Sequence, residues 1–451
     1  MLRLNFPFLH YISPIWYFNL PPLSGNHPYF LDYDKLPAEY KTLLDWDEGF
    51  SCRKVSQLDT AYQAWNKGFI FEAPEFALDI GQIKSSIDDN YRFLRRYFHS
   101  MWSWYVLVLR LLTLHNPMRE ITGFIGQLKT QRLNLYTQVY SHEKAFRRFS
   151  SPLMAGTPKV SVIIPTLNRY AWLKDALHDL EKQDYPNFEV IVVDQSEPFQ
   201  PAFYEPFQVD IRLIRQEEKA LWLARNTAIQ AATGEYFAMY EDDVRVPGCW
   251  LSNHLKCLDY FQADISAGVF FPVGSKLPSG RSFFRWAEQF ATGNSCLRRE
   301  VFQKIGLFDQ QFERQRMGDG EFGLRAYLAG FKSIANPHAW CEDVKAPKGG
   351  LRQMGSRDGF RPKSWLAPRP VPSVLYLVRK YFGNRAAVYS LLISVPPSLL
   401  PYRYKGKPHW FWMGALLMVP LLPLVAWQVA RSWSVSSRML REGPKMSYLQ
   451  E

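Results

Sequence analysis

Three short stretches decide the fold: Val160-Ser-Val-Ile-Ile-Pro-Thr-Leu-Asn-Arg169, Phe188-Glu-Val-Ile-Val-Val-Asp-Gln-Ser196 and Tyr236-Phe-Ala-Met-Tyr-Glu-Asp-Asp-Val244. Each holds a continuous apolar run, too short for a helix, that breaks off at a polar or acidic residue. Between them, Ala171 to Gln183 and Leu221 to Ala232 carry helical spacing. This alternation predicts an α/β domain with a mainly parallel sheet and helices on both faces. In such sheets ligands bind outside the carboxyl ends of the strands. The candidate residues are therefore Pro165 to Arg169, Asp194, and Glu241-Asp242-Asp243. Three carboxylates closing a buried strand repel one another unless a cation or hydrogen-bond donors compensate, and a divalent metal held to a diphosphate is the natural compensation. The competing reading is a helix cap or a solvated turn.

Outward from this block, Ser150 to Pro158 is rich in helix breakers and reads as a linker. It separates an N-terminal, mainly helical region (1–150) from the α/β domain (151–360). Asp89 to Leu114 and Pro117 to Tyr140 are the longest helical candidates there, parted at Asn116-Pro117. The aromatics of this region suit sugar stacking, core packing or a membrane interface equally. The third region, 361–451, holds 13 Lys/Arg against 2 Asp/Glu, so nearly all of the chain's net charge of +12 lies there. That location argues against a nucleic-acid module, which needs a basic patch on a folded domain. The same region carries two apolar segments, Ala386 to Leu400 and Phe411 to Ala430. Cations flanking apolar segments suit an anionic membrane surface. Pro396, Pro397, Pro420 and Pro423 interrupt both segments, and Arg403, Lys405 and Lys407 precede the second, with Arg431 and Arg438 after it. The expectation is a membrane-associated helical tail of bent helices lying in the interface or re-entering it, favoured over a single span, with Trp410, Trp412, Trp427 and Trp433 at headgroup depth. Five scattered cysteines without a CxxC pair argue against a disulfide framework or structural zinc, and the N-terminus lacks a signal-peptide pattern. The expected location is the cytoplasmic face of the cell membrane.

Taken together, VSVIIPTLNR, FEVIVVDQS, ARNTAIQAATGEYFAMYEDDV, TGNSCLRREVFQKIGLFDQQF and GDGEFGLRAYLAGF resemble the family 2 glycosyltransferases with the GT-A fold, over about residues 158–350. The resemblance implies that Pro165, Thr166, Asn168, Arg169 and Asp194 contact the nucleotide, Asp194 accepting a hydrogen bond from the base. It places Arg225 near the nucleotide, Glu241 or Asp242 near the ribose or donor sugar, and Asp243 on a divalent metal, Mg²⁺ or Mn²⁺. Asp343 stands where relatives often carry a further metal-contacting histidine, and Asp319 falls on the catalytic base. Two departures stand out: Gly318 replaces the Glu common before that base, and Gln195 replaces an Asp.

The chemistry agrees. Inverting transfer needs a carboxylate on the acceptor side to take the hydroxyl proton, on an element separate from the metal carboxylates that neutralise the leaving diphosphate. Asp319, at a Gly-flanked turn before a helix expected over Glu321 to Ala329, qualifies; Glu321 is the runner-up, and a plain N-cap is the structural reading. Lys345 to Arg352 suits a loop closing over the diphosphate. Arg285-Trp286 only partly matches the acceptor motif of processive synthases. The expected function is an inverting, non-processive glycosyltransferase moving sugar from a nucleotide-diphosphate donor to a glycan or lipid-linked acceptor in cell-surface polysaccharide synthesis. The alternatives are a processive synthase subunit and an inactive sugar-binding or scaffold protein.

Overall fold

In a computed structural model the described residues are 5–12, 17–20, 22–23, 27–81, 83–288, 290–351, 359–361, 364–401 and 410–450. Arg352, Arg403, Lys405 and Lys407 lie outside them, as does the side chain of Trp412. The three regions of sequence become two compact units: one of 1–21, 27–140 and 354–443, the other of 22–26, 141–353 and 444–451. The boundary falls after Tyr140, ten residues before the expected linker. Ser151 caps the turn Pro152–Ala155, and Asp259 accepts from the Leu153 N–H at 3.0 Å, so this segment is docked on the second unit.

The second unit is built on a nine-stranded sheet: β1 (Val160–Thr166), β2 (Phe188–Asp194), β3 (Ile211–Arg215), β4 (Tyr236–Tyr240), β5 (Val244–Arg245), β6 (Ile265–Pro272), β7 (Arg285–Trp286), β8 (Asn294–Arg298) and β9 (Ser333–Asp343). The strand order is β3-β2-β1-β4-β8-β6-β9-β5, with β7 paired to β9. The expected parallel sheet holds for β3, β2, β1 and β4; the β-branched runs of β1 and β2 and the aromatic run of β4 are buried, while the edge strand β3 is only half-buried. Beyond β4 the sheet is mixed: β8 runs antiparallel to β4 and β6, and β9 is parallel to β6 but antiparallel to β5 and β7. The topology is GT-A-like. Because β1 leads to β2 on one side while β4 lies on its other side, a crevice opens at the carboxyl ends of β1 and β4, the switch point where ligands bind. Residues 444–450 belong to this unit: the Leu307 N–H donates to the Ser447 carbonyl at 2.8 Å, and the Lys445 N–H donates to Asp309 Oδ1 at 2.9 Å.

In the first unit the early aromatics form a core. Phe6 stacks on Phe93 with centroids 3.9 Å apart, and Phe18 meets Tyr62 edge-on at 4.6 Å. The expected helix from Asp89 to Leu114 is two, Ile87–Tyr97 and Ser100–Leu112, because His99 Nδ1 accepts from the Met101 N–H and starts a new helix. The second candidate ends at Gly126, since 127–140 has no periodic apolar face; Asn116 caps its start. The C-terminal helices are Pro372–Ser398, broken at Gly383, then Trp410–Met418 and Leu422–Glu442. The apolar run 411–430 is thus interrupted at Pro420, as the missing N–H of proline requires. Among the described residues no helix is long and apolar enough to cross a membrane.

Candidate active site

The carboxyl ends of β1 and β4 meet in one hydrogen-bonded group. Thr166, the last residue of β1, donates from Oγ1 to Asp242 Oδ2 at 2.8 Å. Arg169, just beyond, places Nη1 2.9 Å from Asp242 Oδ1 and 2.9 Å from Asp243 Oδ2. Asp242 is 4% exposed and Asp243 9%, which rules out the solvated turn. Burial pushes the Asp242 carboxyl up to about 6, the Arg169 charge offsetting part of that rise. Burial, then the Glu241 charge, raises Asp243. Excess negative charge remains here, the condition that invites a further cation. Pro165 lines the cleft beside this group. Asn168 holds the turn in left-handed backbone (φ 54°), donating its N–H to Ser196 Oγ at 2.7 Å and accepting from the Glu197 N–H at 2.8 Å.

Glu241 is positioned from two sides. Arg225, on the helix Leu221–Ala231, lies 3.2 Å from Glu241 Oε1 and 3.3 Å from the Thr292 carbonyl. Gly293 packs so closely that a Cβ there would fall 2.7 Å from Glu241 Cδ. The neighbouring Asn294 is a buried hub: its Oδ1 accepts from Trp250 Nε1 at 2.8 Å, and its amide donates to the Val269 and Ala339 carbonyls. The sequence motif at 292–295 thus supports the site through backbone spacing.

Asp194 closes β2 inside the protein. It is fully buried, and its carboxylate accepts from Tyr170 Oη at 2.7 Å, Tyr204 Oη at 2.9 Å and the Ser196 N–H at 2.8 Å. With three protein donors in place, it organises the end of β2, and it lines neither of the two cavities of this site. Neither tyrosine was singled out in the sequence, because an aromatic hydroxyl reveals its partner only in the fold. Gln195 accepts the Ala220 N–H at 2.7 Å, fixing the approach to the helix Leu221–Ala231.

Asp319 lies in the first turn of the helix Gly318–Leu328, which begins earlier than expected. Its N-cap is Met317, in left-handed backbone (φ 79°), so Asp319 is not the capping residue. Glu321, the other candidate base, is fully buried, with Oε2 3.0 Å from Arg325 Nη2. Arg325 in turn donates to the backbone carbonyls of Gly306 and Leu307, so this pair fastens a turn, and Glu321 is not among the residues lining the cleft. Glu313, which sequence reasoning missed, accepts from the N–H groups of Leu221 and Trp222 at 2.7 and 2.8 Å and caps their helix. Its only sequence signal is a carboxylate shortly after the Leu307-Phe308 pair.

Two adjoining cavities describe the working surface. One is lined by Pro165, Arg169, Arg225, Glu241, Asp242 and Asp243; the other holds Trp222, Glu313, Arg314, Arg316 and Asp319. Leu221, Arg225 and Leu351 line both. The 345–351 loop covers the first: Ala346 donates to Asp243 Oδ2 at 3.2 Å and Gly350 to the Leu167 carbonyl at 2.7 Å. Gly349 and Gly350 take positive φ, and a Cβ on Gly349 would sit 2.5 Å from the Asn168 carbonyl. Asp343 accepts the Lys345 N–H at 3.0 Å and pairs in register with Val244 on β5. Among the described residues no three His, Cys, Asp or Glu side chains converge as a ready metal cage. The donor set still fits Mg²⁺ or Mn²⁺, hard cations that are commonly held by one or two carboxylates with the substrate's phosphates completing the shell. Arg285-Trp286 is buried in β7, outside both cavities.

The crevice thus lies at the switch point of a GT-A-like sheet, with the acidic cluster lining one cavity and Asp319 the adjoining one. Residues 161–313 match the model of glycosyl transferase family 2, and this stretch of the chain is a family 2 glycosyltransferase domain. The glycosyltransferase GlyA of Streptococcus pneumoniae serotype 4 is 27% identical over 163 residues, 35% of this chain and 22% of that protein. The putative teichuronic acid biosynthesis glycosyltransferase TuaG of Bacillus subtilis is 30% identical over 36% of this chain and 64% of its own length. The mannosyltransferase PcManGT of Pyrobaculum calidifontis, solved with GDP-Man and Mn²⁺, shares 18% identity at a TM-score of 0.42, covering 65% of this chain and 91% of that one. The chain spans between 17% and 26% of the length of its first curated relatives.

Proposed function

We propose that the chain is an inverting, non-processive glycosyltransferase that moves one sugar from a nucleotide-diphosphate donor to a glycan or lipid-linked acceptor. The observation that carries this reading is the pair of adjoining cavities, with Asp242 and Asp243 in one, Asp319 in the other and Arg225 shared. In this arrangement the Pro165–Arg169 turn and Arg225 receive the donor, and Asp319 takes the proton of the attacking hydroxyl. Asp243, with Asp242 beside it and Asp343 at the rim, would hold a divalent ion, which supplies charge neutralisation for the leaving diphosphate. Polysaccharide assembly as the setting is supported by the names of relatives such as TuaG. Burial of Arg285-Trp286 favours single transfer over processive synthesis.

The decisive experiment is Asp319→Asn. We expect transfer to fall by at least a hundredfold with donor affinity within a few fold of the parent, because a general base contributes 10²–10⁴. Retention of more than about a tenth of the activity overturns the assignment. Donor hydrolysis without acceptor distinguishes an enzyme from a scaffold, and stabilisation by a panel of UDP-, GDP- and dTDP-sugars identifies the donor.

The C-terminal helices serve, in this reading, as a membrane attachment at the cytoplasmic face. Support comes from their basic excess and from exposed Met413, Leu416, Leu417, Val419 and Leu422. Replacing Leu416, Leu417 and Val419 by Asp should shift the chain from the membrane to the soluble fraction; an unchanged distribution overturns this attachment.

A further inference from the structure

Large apolar side chains exposed to solvent are unevenly distributed among the described residues. Of 23, 19 belong to the first unit, and eight of those cluster between Trp104 and Leu128. This cluster is the hairpin of helices Ser100–Leu112 and Pro117–Gly126, with no assigned role. We propose that the hairpin is a membrane-docking element whose outer edge enters the headgroup and upper acyl region of an anionic lipid bilayer.

The inner face of the hairpin is already satisfied, so its outer face is not an unfinished core. Tyr105, Val106, Leu107 and Phe124 are buried, and the Phe124 ring meets Tyr91 edge-on at 5.6 Å. Arg110 and the fully buried Glu120 pair at 2.5 Å and rivet the two helices, with Tyr91 Oη donating to Glu120 at 2.9 Å. The outer edge presents Leu112 (74% exposed), Leu114 (93%) and Met118 (71%).

Leu114 is the most informative of these. It follows the first helix in left-handed backbone, φ 59°, with the His115 N–H bonded back to the Arg110 carbonyl at 3.0 Å. That is the helix-terminating position glycine ordinarily takes, and a leucine there carries a conformational cost. The chain thus accepts strain to hold its most exposed large apolar side chain at the tip of a rigid hairpin. Burial of that side chain in hydrocarbon offsets the cost.

Charge selects the partner. Between 99 and 135 the sole acidic residue is Glu120, which is buried, whereas Arg119, Lys129 and Arg132 are exposed. The exposed carboxylate that packs beside the hairpin from a neighbouring element is Asp88 of the helix Ile87–Tyr97, against Gly123 and Gly126, so the exposed charge of the hairpin itself is positive and complements an anionic leaflet. Helices of 13 and 10 residues rise about 20 and 15 Å, short of the roughly 30 Å hydrocarbon core, so the hairpin lies at the interface. The inference rests neither on the donor chemistry nor on the C-terminal attachment.

The test is sedimentation of the full chain with phosphatidylcholine vesicles containing 30% phosphatidylglycerol (a fraction on the order of that in an anionic leaflet) and with pure phosphatidylcholine. The wild type should partition onto the anionic vesicles, and Leu112→Asp/Leu114→Asp/Met118→Asp should weaken this at least tenfold. Leu114→Gly guards against misfolding: it relieves the left-handed strain, so it should raise the melting temperature while weakening vesicle binding. Arg119→Gln/Lys129→Gln/Arg132→Gln should abolish the preference for anionic vesicles. Unchanged binding in the hairpin variants overturns the proposal even if the C-terminal aspartates release the chain. So does a dimer that the triple aspartate converts to monomer without any effect of lipid, which would assign this edge to a second copy.

Discussion

Trp222 occupies the space that a side chain on residue 318 would need: a Cβ built on Gly318 would fall 2.4 Å from Trp222 Cζ2. The glycine that departs from the family pattern is therefore required here by the tryptophan, whose Nε1 donates to the Phe312 carbonyl at 3.1 Å. Gly318→Ala should cost about 1–3 kcal/mol through overpacking. It should also reduce transfer by displacing the neighbouring Asp319, whereas Gly318→Ala combined with Trp222→Leu should recover part of both. Denaturant midpoints and initial rates on the two variants check this; additive losses would show that the two residues are uncoupled.

Glu321→Gln should lower stability by about 3–5 kcal/mol, because it leaves Arg325 paired to a neutral partner in a buried site. Activity per folded molecule should stay within a few fold of the parent. Loss of turnover at full folding, measured by active-site titration with circular dichroism as control, would reinstate Glu321 as the base.

Arg169→Gln strips the counter-charge from Asp242 and Asp243. The apo protein should lose about 3 kcal/mol, at the low end of the range for breaking a buried pair. Mn²⁺ should then stabilise the variant more than the parent, since the guanidinium no longer competes for these carboxylates. Calorimetric scans with and without Mn²⁺ decide it, and equal metal stabilisation in both proteins counts against a metal at Asp243.

His254 supplies a pH dependence. Its ring lies between Ser266 Oγ at 2.8 Å and Asn294 Oδ1 at 3.0 Å, and burial lowers it to about 4. Above the ordinary value near 6.5 both folded and unfolded chains hold a neutral ring. As pH falls from 6.5 towards 4 the unfolded chain gains the proton first, so stability is lost, by on the order of 3 kcal/mol. Urea unfolding at pH 7 and pH 5 should show this loss, and His254→Gln should flatten it. An equal pH slope in parent and variant would place the titration elsewhere.

The buried strands were legible because their signal is local. Val160 to Ile164, Glu189 to Val193 and Tyr236 to Tyr240 read as strands from apolar continuity alone, and each lies inside an observed strand. The same holds for the helix Leu221–Ala231 and for the acidic cluster at the end of β4. The helix break at Phe98-His99 was not legible, since it turns on one imidazole accepting a backbone N–H.

By itself, then, the sequence determined the α/β core, the switch-point crevice with its candidate residues, and the basic, proline-broken C-terminal segments. These depend on periodicity, composition and chain order, which neighbouring residues define. Tertiary structure alone decided what each carboxylate meets. Asp194 is taken by Tyr170 and Tyr204, Glu321 by Arg325, and Asp319 is left lining a cavity. It also turned the far half of the sheet antiparallel and set Trp222 against Gly318. The physical reason is that a carboxylate's role depends on its burial and its hydrogen-bond donors. Those donors can come from residues far along the chain, as when Thr166 meets Asp242 across 76 positions.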